Sequence, residues 1–412
     1  MAELEETKRS RKGLRNTLIS LVALGMVVTG VGCSALPNGA APAASESVAA
    51  TSAAPSTPPA IPATTEFTPA TGTEAVNPAN EIAAVVTNGT IAKAVLEEKA
   101  TGTPVEGELV VSGTKWISKA PLKFGTDYVF SIIAEDAAGN KNTSHSAFST
   151  VAPSHEADAW VYPAADSTVG VGQPLEFNFS EPVLNKEAVE KAIKVTTSTG
   201  QQGAFRWYSD TMVRYRAEDY WPANTVLNVD MALFGMDLGN GMIYNANRNY
   251  NVNVGNKVIM EADAANKFVN IFVNDQLAKT FPASMGDERF PSASGFMVLT
   301  ADKQRYATFK ASTIGLKPGD PGDYGSVDVQ FATRLSNSGI FIHEATAYAL
   351  PYLGVTNLSH GCIGLSHEGA GWVFNNMRPG DLVHTVGTPN DTIAPTDGFG
   401  DWNFAFADYA SR

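Results

Sequence analysis

The amino-acid sequence predicts a mainly β protein, with two small β-sandwich domains followed by a β-rich third domain that holds one or two short helices. At 412 residues the chain is long enough for two or three domains, since an ordinary domain takes roughly 150 residues. Short segments of alternating apolar and polar residues recur along it and are separated by turn residues. Helical spacing of apolar residues occurs in two short stretches.

The first sandwich is predicted over residues 66–153. In residues 128–132 the large apolar side chains Tyr128, Phe130 and Ile132 fall at every second position, and Gly139-Asn140 is typical of a turn. Pro153 marks a joint, after which residues 154–255 repeat the same pattern. This repetition indicates a second sandwich.

The second sandwich is expected to contain one short helix. Leu175, Phe177 and Phe179 lie on one face of a predicted strand that precedes it. Asn185 is the predicted N-cap of the helix. Its apolar positions fall at helical spacing and are Ala188, Val189, Ala192 and Ile193.

The third domain is predicted over residues 256–388. Strands are expected at 257–261 and 268–273, with Asn274-Asp275 as a hairpin turn signal. A helix is expected over residues 366–377. The third domain therefore resumes the β pattern and adds a helix near its end.

The N-terminus has the basic-then-apolar order of an export signal. Basic residues between Lys8 and Arg15 precede an apolar run over residues 18–31. The run leads through small residues to Cys33, as in a bacterial lipobox, although Gly30 stands where Leu is usual. We expect residues 1–33 to be a signal peptide with lipidation at Cys33. A plain secretion signal or an uncleaved anchor would equally place the chain outside the membrane.

Residues 34–65 are predicted to be a disordered tether. They are dominated by Ala, Pro, Ser and Thr and hold too few large apolar residues to bury a core. A proline-rich chain stays extended at roughly 3 Å per residue. The expected location is therefore extracytoplasmic, anchored to the cell membrane by lipid and facing the cell wall.

Charge and cysteine content exclude several classes of function. The formal net charge is −13, which argues against a nucleic-acid partner because phosphate binding needs a basic face. The chain has two cysteines, Cys33 and Cys362, and Cys33 falls in the targeting segment, so a disulfide framework is not expected. Cys362 is then the single thiol of the folded part.

Cys362 lies in a run that suits nucleophilic catalysis. A thiol needs a nearby imidazole or oriented N–H groups to become a good nucleophile. His343 ends a predicted strand over residues 340–342 and precedes Cys362 by a length that allows a loop and a return. Gly361 lets backbone N–H groups approach a carbonyl oxygen, so Gly361 and Cys362 are the expected oxyanion-hole donors. By themselves these residues also allow a buried, inert thiol, or a zinc site formed with His360.

The run Ser359-His360-Gly361-Cys362, with Ile342-His343 upstream, strongly resembles the active site of the L,D-transpeptidases, the YkuD family. The resemblance extends to segments in the second and third domains and to Gly398-Phe399-Gly400-Asp401-Trp402-Asn403. It implies the actinobacterial lipoprotein type, with two immunoglobulin-like domains, a YkuD catalytic domain and a C-terminal extension. That extension, residues 389–412, is expected to pack back onto the catalytic domain or the second sandwich.

The resemblance implies a two-step acyl transfer on peptidoglycan stem peptides, without metal or organic cofactor. Cys362 would attack a tetrapeptide donor and release D-Ala, and a diaminopimelate side-chain amine of the acceptor would resolve the thioester as a 3→3 cross-link. His343 would act as base and then acid, oriented by the Glu344 carbonyl. His360 and Tyr324 match family positions near the pocket. Acylation by carbapenems is expected.

The sequence departs from the family pattern at several positions. Gly364 replaces the usual Arg or Asn, Glu344 replaces a common Ser, and residues 292–295 replace a Thr-Pro-Xaa-Gly turn. The lid region, residues 304–324, also matches poorly. Glu344 and Ser359 are taken with Tyr324 as candidate substrate-binding residues. The competing hypotheses are an L,D-carboxypeptidase and a catalytically weak wall scaffold, for which Gly364 is the argument.

Overall fold

Two β-sandwiches and one larger sheet follow each other along residues 61–411, the part of the chain that the computed structural model describes. The predicted signal peptide, Cys33 and most of the predicted tether lie outside the described residues. The mainly β fold predicted from the sequence is confirmed. Between residues 61 and 411, no helix is long and apolar enough to cross a membrane.

The first sandwich consists of two four-stranded sheets. Its strands are β1 Thr64–Thr68, β2 Ala83–Thr87, β3 Gly89–Glu98, β4 Pro104–Val105, β5 Gly107–Val110, β6 Lys115–Ser118, β7 Asp127–Asp136 and β8 Lys141–Ser149. The sheet orders are β1-β2-β6-β5 and β4-β3-β7-β8. Along β7, Tyr128, Phe130 and Ile132 are buried, which is the alternation that the sequence showed. β1 begins at Thr64, inside the segment predicted as tether.

The second sandwich follows the same plan with one helix added. Its elements are β9 Glu156–Ala157, β10 Ala159–Tyr162, β11 Thr168–Val169, β12 Leu175–Phe179, α1 Lys186–Ala192, β13 Ile193–Thr197, β14 Gly203–Trp207, β15 Met212–Ala217, β16 Val226–Met231, β17 Ile243–Tyr244 and β18 Arg248–Val254. The facing sheets run β10-β12-β15-β14 and β11-β18-β16-β13. Asn185 is at the N-cap position, but its side-chain amide donates to the Asp237 carbonyl, so the predicted capping bond is wrong.

A nine-stranded mixed sheet forms the third region. Its elements are β19 Val258–Asp263, β20 Phe268–Val273, β21 Gln276–Ser284, β22 Gly295–Val298, β23 Lys303–Lys310, β24 Ser326–Arg334, β25 Phe341–Glu344, β26 Ile363–Leu365, α2 His367–Asn376 and β27 Leu382–Val386. The strand order is β22-β27-β19-β20-β21-β26-β25-β24-β23. Asn274 and Asp275 both have positive φ, as a two-residue hairpin turn requires. α2 is capped by Ser366, whose hydroxyl accepts the Gly369 N–H at 3.1 Å.

The C-terminal segment packs against the second sandwich and ends in a short helix, α3 Phe406–Ala410. The buried Arg214 guanidinium donates to Asp401 at 2.7 Å and to the Gly398 carbonyl at 2.9 Å. The Trp402 indole N–H donates to the Gly172 carbonyl at 2.7 Å. The same segment reaches the nine-stranded sheet, because the Phe296 N–H donates to the Asn403 side chain at 2.7 Å. Residues 398–403 thus connect the second sandwich to the sheet that carries Cys362.

Candidate active site

Two adjacent parallel strands bring His343 and Cys362 together. β25 pairs with β26 so that Ile342 is opposite Ile363 and His343 is opposite Gly364. Cys362 immediately precedes β26 and is two residues before Gly364, the residue opposite His343. Because side chains alternate along a strand, His343 and Cys362 face the same side. Both line one pocket, as the sequence predicted for a cysteine and histidine pair.

The Cys362 pocket has a volume of about 410 Å³. It is walled by β25, β26, the start of β24 and the segment after β25. Its lining residues are Ser284, Phe309, Tyr324, Val327, His343, Ala345, Thr346, Tyr348, Ala349, Leu358, Ser359, His360, Cys362 and Gly364. A cavity of this size with few polar groups is typical of a small-molecule or peptide site.

Cys362 is half-buried against apolar neighbours. Phe309 and Val327 pack around it together with the buried Phe341 and Val329. Its thiol donates to the Gly339 carbonyl at 3.7 Å. In this resting state the thiol hydrogen is therefore directed to the backbone before β25.

His343 is held in one orientation. Its Nδ1–H donates to the Glu344 carbonyl at 2.7 Å, as expected from the resemblance. The Phe309 ring packs edge-on against the imidazole, with centroids 5.2 Å apart at 90°. With Nδ1 carrying the proton, Nε2 of the neutral ring is left as the acceptor. His343 can thus take a proton through Nε2.

Burial sets the protonation state of both residues. Burial raises the pKa of the Cys362 thiol to about 11, an effect that the Phe341 N–H and Arg334 only partly oppose. Burial also lowers the pKa of His343, against the opposing effect of its bond to the Glu344 carbonyl. Near neutral pH the pair is accordingly a thiol beside a neutral imidazole. Thiolate must form as the thiol attacks, with His343 as general base.

The loop before Cys362 is braced by two serines. Gly361 has φ of +112°, a region that favours glycine. Ser359 Oγ donates to the Cys362 carbonyl at 2.6 Å and accepts the Gly361 N–H at 3.2 Å. Ser292 Oγ donates to the Gly361 carbonyl at 2.9 Å. Ser359, predicted to bind substrate, thus fixes the loop, and the Gly361 N–H would reach an oxyanion only by leaving Ser359.

His360 fastens the lid loop between β23 and β24. Its Nε2–H donates to the Gly322 carbonyl at 2.8 Å. The imidazole lies between two rings, with Phe290 at 4.5 Å and Tyr324 at 4.9 Å between centroids. Gly322 has φ of +94°, and a Cβ there would meet the Phe290 ring at 2.6 Å. Tyr324 therefore borders the pocket, as predicted, through a lid that His360 holds.

Glu344 takes part in the site through its backbone. Its carbonyl orients His343, whereas its carboxylate accepts a hydrogen bond from His367 Nδ1 at 3.1 Å. That carboxylate lines a neighbouring cleft and is not among the residues that line the Cys362 pocket. The side chain of Glu344, predicted to bind substrate, therefore lies outside the Cys362 pocket, and its role in substrate binding stays a prediction.

The described residues offer no metal centre at this site. Within residues 61–411, no three side chains of His, Cys, Asp or Glu are close enough to share a metal ion. His343 and His360 each use one ring nitrogen for a backbone carbonyl. The zinc arrangement of His343, His360 and Cys362 is thus not formed in this structure.

Sequence reasoning missed three residues that shape the site. Ser292 is almost completely buried and connects Gly361 to the Gly286 N–H, which it accepts at 2.9 Å. Phe290 and Phe309 pack against His360 and His343. Ser292 was visible only as part of a departing turn, and the aromatic rings gave no local signal.

Comparison with known proteins gives two family matches. Residues 73–237 match the bacterial Ig domain family, and residues 257–385 match the L,D-transpeptidase catalytic domain family. Among curated proteins, the chain is 34% identical over 302 residues to L,D-transpeptidase 2 of Mycobacterium tuberculosis, covering 73% of each protein. It is 29% identical to L,D-transpeptidase 5 of the same organism, covering 80% of this chain and 72% of the relative.

Solved structures of similar proteins cover about half of the chain. One is an LD transpeptidase in complex with imipenem, 28% identical with a TM-score of 0.48, which covers 55% of this chain and 97% of that one. Another is L,D-transpeptidase 3 from Mycobacterium tuberculosis with a faropenem-derived adduct, 26% identical with a TM-score of 0.47, covering 55% and 96%.

Proposed function

Because this chain belongs to the L,D-transpeptidase family, we propose that it forms 3→3 peptidoglycan cross-links by acyl transfer through Cys362. The observation that supports this mechanism best is the shared pocket of Cys362 and His343, with the imidazole fixed by the Glu344 carbonyl. The enzyme class follows from the family. The cross-link type and the roles of individual residues are the proposal.

In the first half-reaction, Cys362 Sγ attacks the carbonyl between the L-centre of diaminopimelate and the terminal D-Ala of a tetrapeptide stem. His343 Nε2 takes the thiol proton as the C–S bond forms. The tetrahedral intermediate then expels the D-Ala amine, to which His343 returns the proton. A thioester on Cys362 and free D-Ala result, so the proton count is balanced.

In the second half-reaction, the side-chain amine of an acceptor stem attacks the thioester. His343 accepts the amine proton and delivers it to the leaving thiolate of Cys362. The Cys362 N–H is the first donor to consider for the oxyanion, because the Gly361 N–H is engaged by Ser359. Tyr324, at the edge of the pocket, is the candidate for a supporting contact.

The test is intact-mass spectrometry of the protein with a disaccharide-tetrapeptide, comparing wild type with Cys362→Ala and His343→Gln. With wild type we expect a thioester of the donor stem without its terminal D-Ala, followed by a cross-linked dimer. Cys362→Ala should form neither product. Tripeptide as the only product would favour the L,D-carboxypeptidase. A wild type that forms neither adduct nor product would favour the scaffold hypothesis.

Acylation by carbapenems is part of the proposal. The imipenem complex and the faropenem-derived adduct belong to those similar structures. For this chain, the support is the pocket that Cys362 and His343 line together. Incubation with imipenem should add the mass of one ring-opened drug to wild type. Cys362→Ala is the control that should remain unmodified.

Extracytoplasmic anchoring by lipid on Cys33 remains a proposal from the sequence. The basic and apolar segments before Cys33 support it. Metabolic labelling with a fatty-acid probe should mark wild type and leave Cys33→Ala unlabelled. Equal labelling of both proteins, or secretion of both into the medium, would reject the anchor.

A further inference from the structure

A second pocket, which we call the Arg334 pocket, also borders Cys362. It has a volume of about 280 Å³. His343 lines the Cys362 pocket and is not among the residues that line the Arg334 pocket. The residues that line both pockets are Phe309, Tyr324, His360 and Cys362. The thiol of Cys362 therefore stands where two cavities meet.

Arg334 lies on the same face of the sheet as Cys362, two strands away. In the pairing of β24 with β25, Arg334 is opposite Phe341. The parallel register of β25 with β26, extended by one residue, places Cys362 on the other side of Phe341. Opposite residues of neighbouring strands point to the same face. At a strand spacing of about 4.8 Å, the backbones of Arg334 and Cys362 are about 10 Å apart.

The guanidinium of Arg334 lies over the ring of the residue between them. Its central carbon is 4.4 Å from the centroid of the Phe341 ring. Nε donates to the Asp302 carboxylate at 2.7 Å, and Nη1 donates to the Ser336 carbonyl at 3.2 Å. Within residues 61–411, Nη2 donates to no other residue and is not buried. A planar guanidinium held in place thus keeps N–H groups for a ligand.

Charge distinguishes the two pockets. Arg334 and Lys310 line the Arg334 pocket, and no Asp or Glu of the described chain does so. The lining of the Cys362 pocket, over the same residues, has no lysine, arginine, Asp or Glu. An anionic group on a ligand at Cys362 is therefore attracted toward the Arg334 pocket. A guanidinium matches a carboxylate best, because the two planar groups can share parallel hydrogen bonds.

We propose that Arg334 binds the terminal carboxylate of the D-Ala that the donor stem releases. The leaving group then occupies the Arg334 pocket, and the rest of the stem occupies the Cys362 pocket. The inference rests on the proposed function, because that function places the scissile carbonyl at Cys362 Sγ. The carboxylate carbon of D-Ala is three covalent bonds from this carbonyl carbon, a span of about 3–4 Å. The scissile nitrogen stays beside Cys362, where His343 returns the proton to it.

The test compares two donors, a disaccharide-tetrapeptide with a free terminal carboxylate and the same donor with a terminal carboxamide. The carboxamide keeps the scissile bond and removes the negative charge. For wild type we expect kcat/KM for release of D-Ala to exceed that for release of D-alaninamide by about 10–100-fold, as for a hydrogen bond to a charged group. Arg334→Gln should lower this ratio to about twofold or less. Arg334→Lys should keep part of it, because the charge is retained and the planar fork is lost.

Arg305→Gln is the matched control. Arg305 also stacks on an aromatic ring, with its guanidinium carbon 3.8 Å from the Phe331 centroid, but it lines neither pocket. This variant should keep the wild-type ratio, and so should Lys310→Gln. Any effect of Arg334 on folding or on the Cys362 thiol acts on both donors alike and cancels in the ratio.

Equal use of the two donors by wild type would overturn the role of Arg334 and leave the transpeptidase proposal intact, and this comparison needs no variant that must fold. A loss on both donors in Arg334→Gln with an unchanged ratio would also overturn it. Collapse of the ratio in Lys310→Gln and not in Arg334→Gln would do the same. Failure of wild type to release an amine product from either donor would instead refute the proposed function.

Discussion

The protonation state of Cys362 gives a prediction whose magnitude follows from its burial. Burial raises the pKa of this thiol to about 11, whereas a free cysteine has a pKa of roughly 8.5. At pH 7 about 3% of a free thiol is thiolate, against about 0.01% of Cys362, a difference of about 300-fold. A more basic thiolate is also more nucleophilic. With a Brønsted coefficient of about 0.4–0.5, this higher nucleophilicity compensates for about tenfold of the roughly 300-fold difference in thiolate fraction.

Alkylation of Cys362 by iodoacetamide should therefore be about 30-fold slower than that of free cysteine at pH 7. A Cys33→Ser background leaves Cys362 as the only thiol, so intact mass reports on it alone. The rate should rise about tenfold per pH unit from about pH 7 to 10. A plateau with a midpoint between about pH 5 and 7 would refute the reasoning, since it would reveal a preformed thiolate and imidazolium pair.

A comparison of the alkylation rate with the carbapenem acylation rate tests the protonation state of Cys362 a second time. Alkylation needs thiolate, whereas attack on a carbapenem uses His343 Nε2 as base. His343→Gln should therefore leave the slope of the alkylation profile in place and slow acylation by about 10²–10⁴-fold. If His343→Gln slowed alkylation and acylation equally, His343 would instead stabilise a thiolate that is already present in the resting enzyme.

Three further predictions concern the regions around the site. Asp401→Ala should lower the free energy of unfolding by about 3–5 kcal/mol in urea, because it leaves the buried Arg214 without one of its carboxylate partners, and an unchanged unfolding midpoint would contradict the bracing role of this pair. Burial raises the pKa of Asp381 to about 7, well above the usual aspartate pKa of about 3.9. The folded state therefore binds the proton more tightly than the unfolded chain, and stability should fall as pH rises from about 4 to 7. Asp381→Asn should remove that part of the pH dependence, on the order of 4 kcal/mol at most, and a parallel profile for both proteins would reject it. Gly322→Ala should slow acylation and lower the melting temperature, because its Cβ would meet the Phe290 ring at 2.6 Å and the residue has a φ of +94°. Gly319→Ala is the control, since Gly319 also has a positive φ but no atom lies near its Cβ position. Equal effects of the two substitutions would show that backbone strain, and not the contact with Phe290, is the cause.

The sequence was sufficient where the signal was local. The alternation of Tyr128, Phe130 and Ile132 predicts a strand, and a strand is found there, because burial of one face imposes period two on the residues themselves. The resemblance around Cys362 is confirmed at the level of the family. The domain boundaries drawn from the sequence stay predictions.

Contacts between distant segments could not be predicted in the same way. Arg214 and Asp401 are separated by 187 residues, and neither carries a local mark of its partner. Asn185 has the residue type of a cap, yet its Nδ2 donates to the Asp237 carbonyl and its Oδ1 accepts no N–H of the helix. The short pairing of β24 with β25, which are joined by only two residue pairs, also depends on strand register and has no local signal in the sequence. Pairing, unlike periodicity, is decided by the whole fold.

The scaffold hypothesis is based on Gly364, which replaces the usual Arg or Asn. The position of Gly364 in the structure argues for a role in substrate preference. Gly364 is opposite His343 in the parallel pair, and a Cβ there would meet the Ser284 carbonyl oxygen at 3.3 Å and Ala345 at 3.5 Å. A longer side chain would therefore have to enter the Cys362 pocket, of which Gly364 is a lining residue. The hydrogen bond that orients His343 comes from the Glu344 carbonyl and does not involve position 364. Loss of Arg or Asn here alters the wall that a substrate meets and leaves the cysteine and histidine arrangement intact, so Gly364 bears on substrate preference more than on the capacity for acyl transfer.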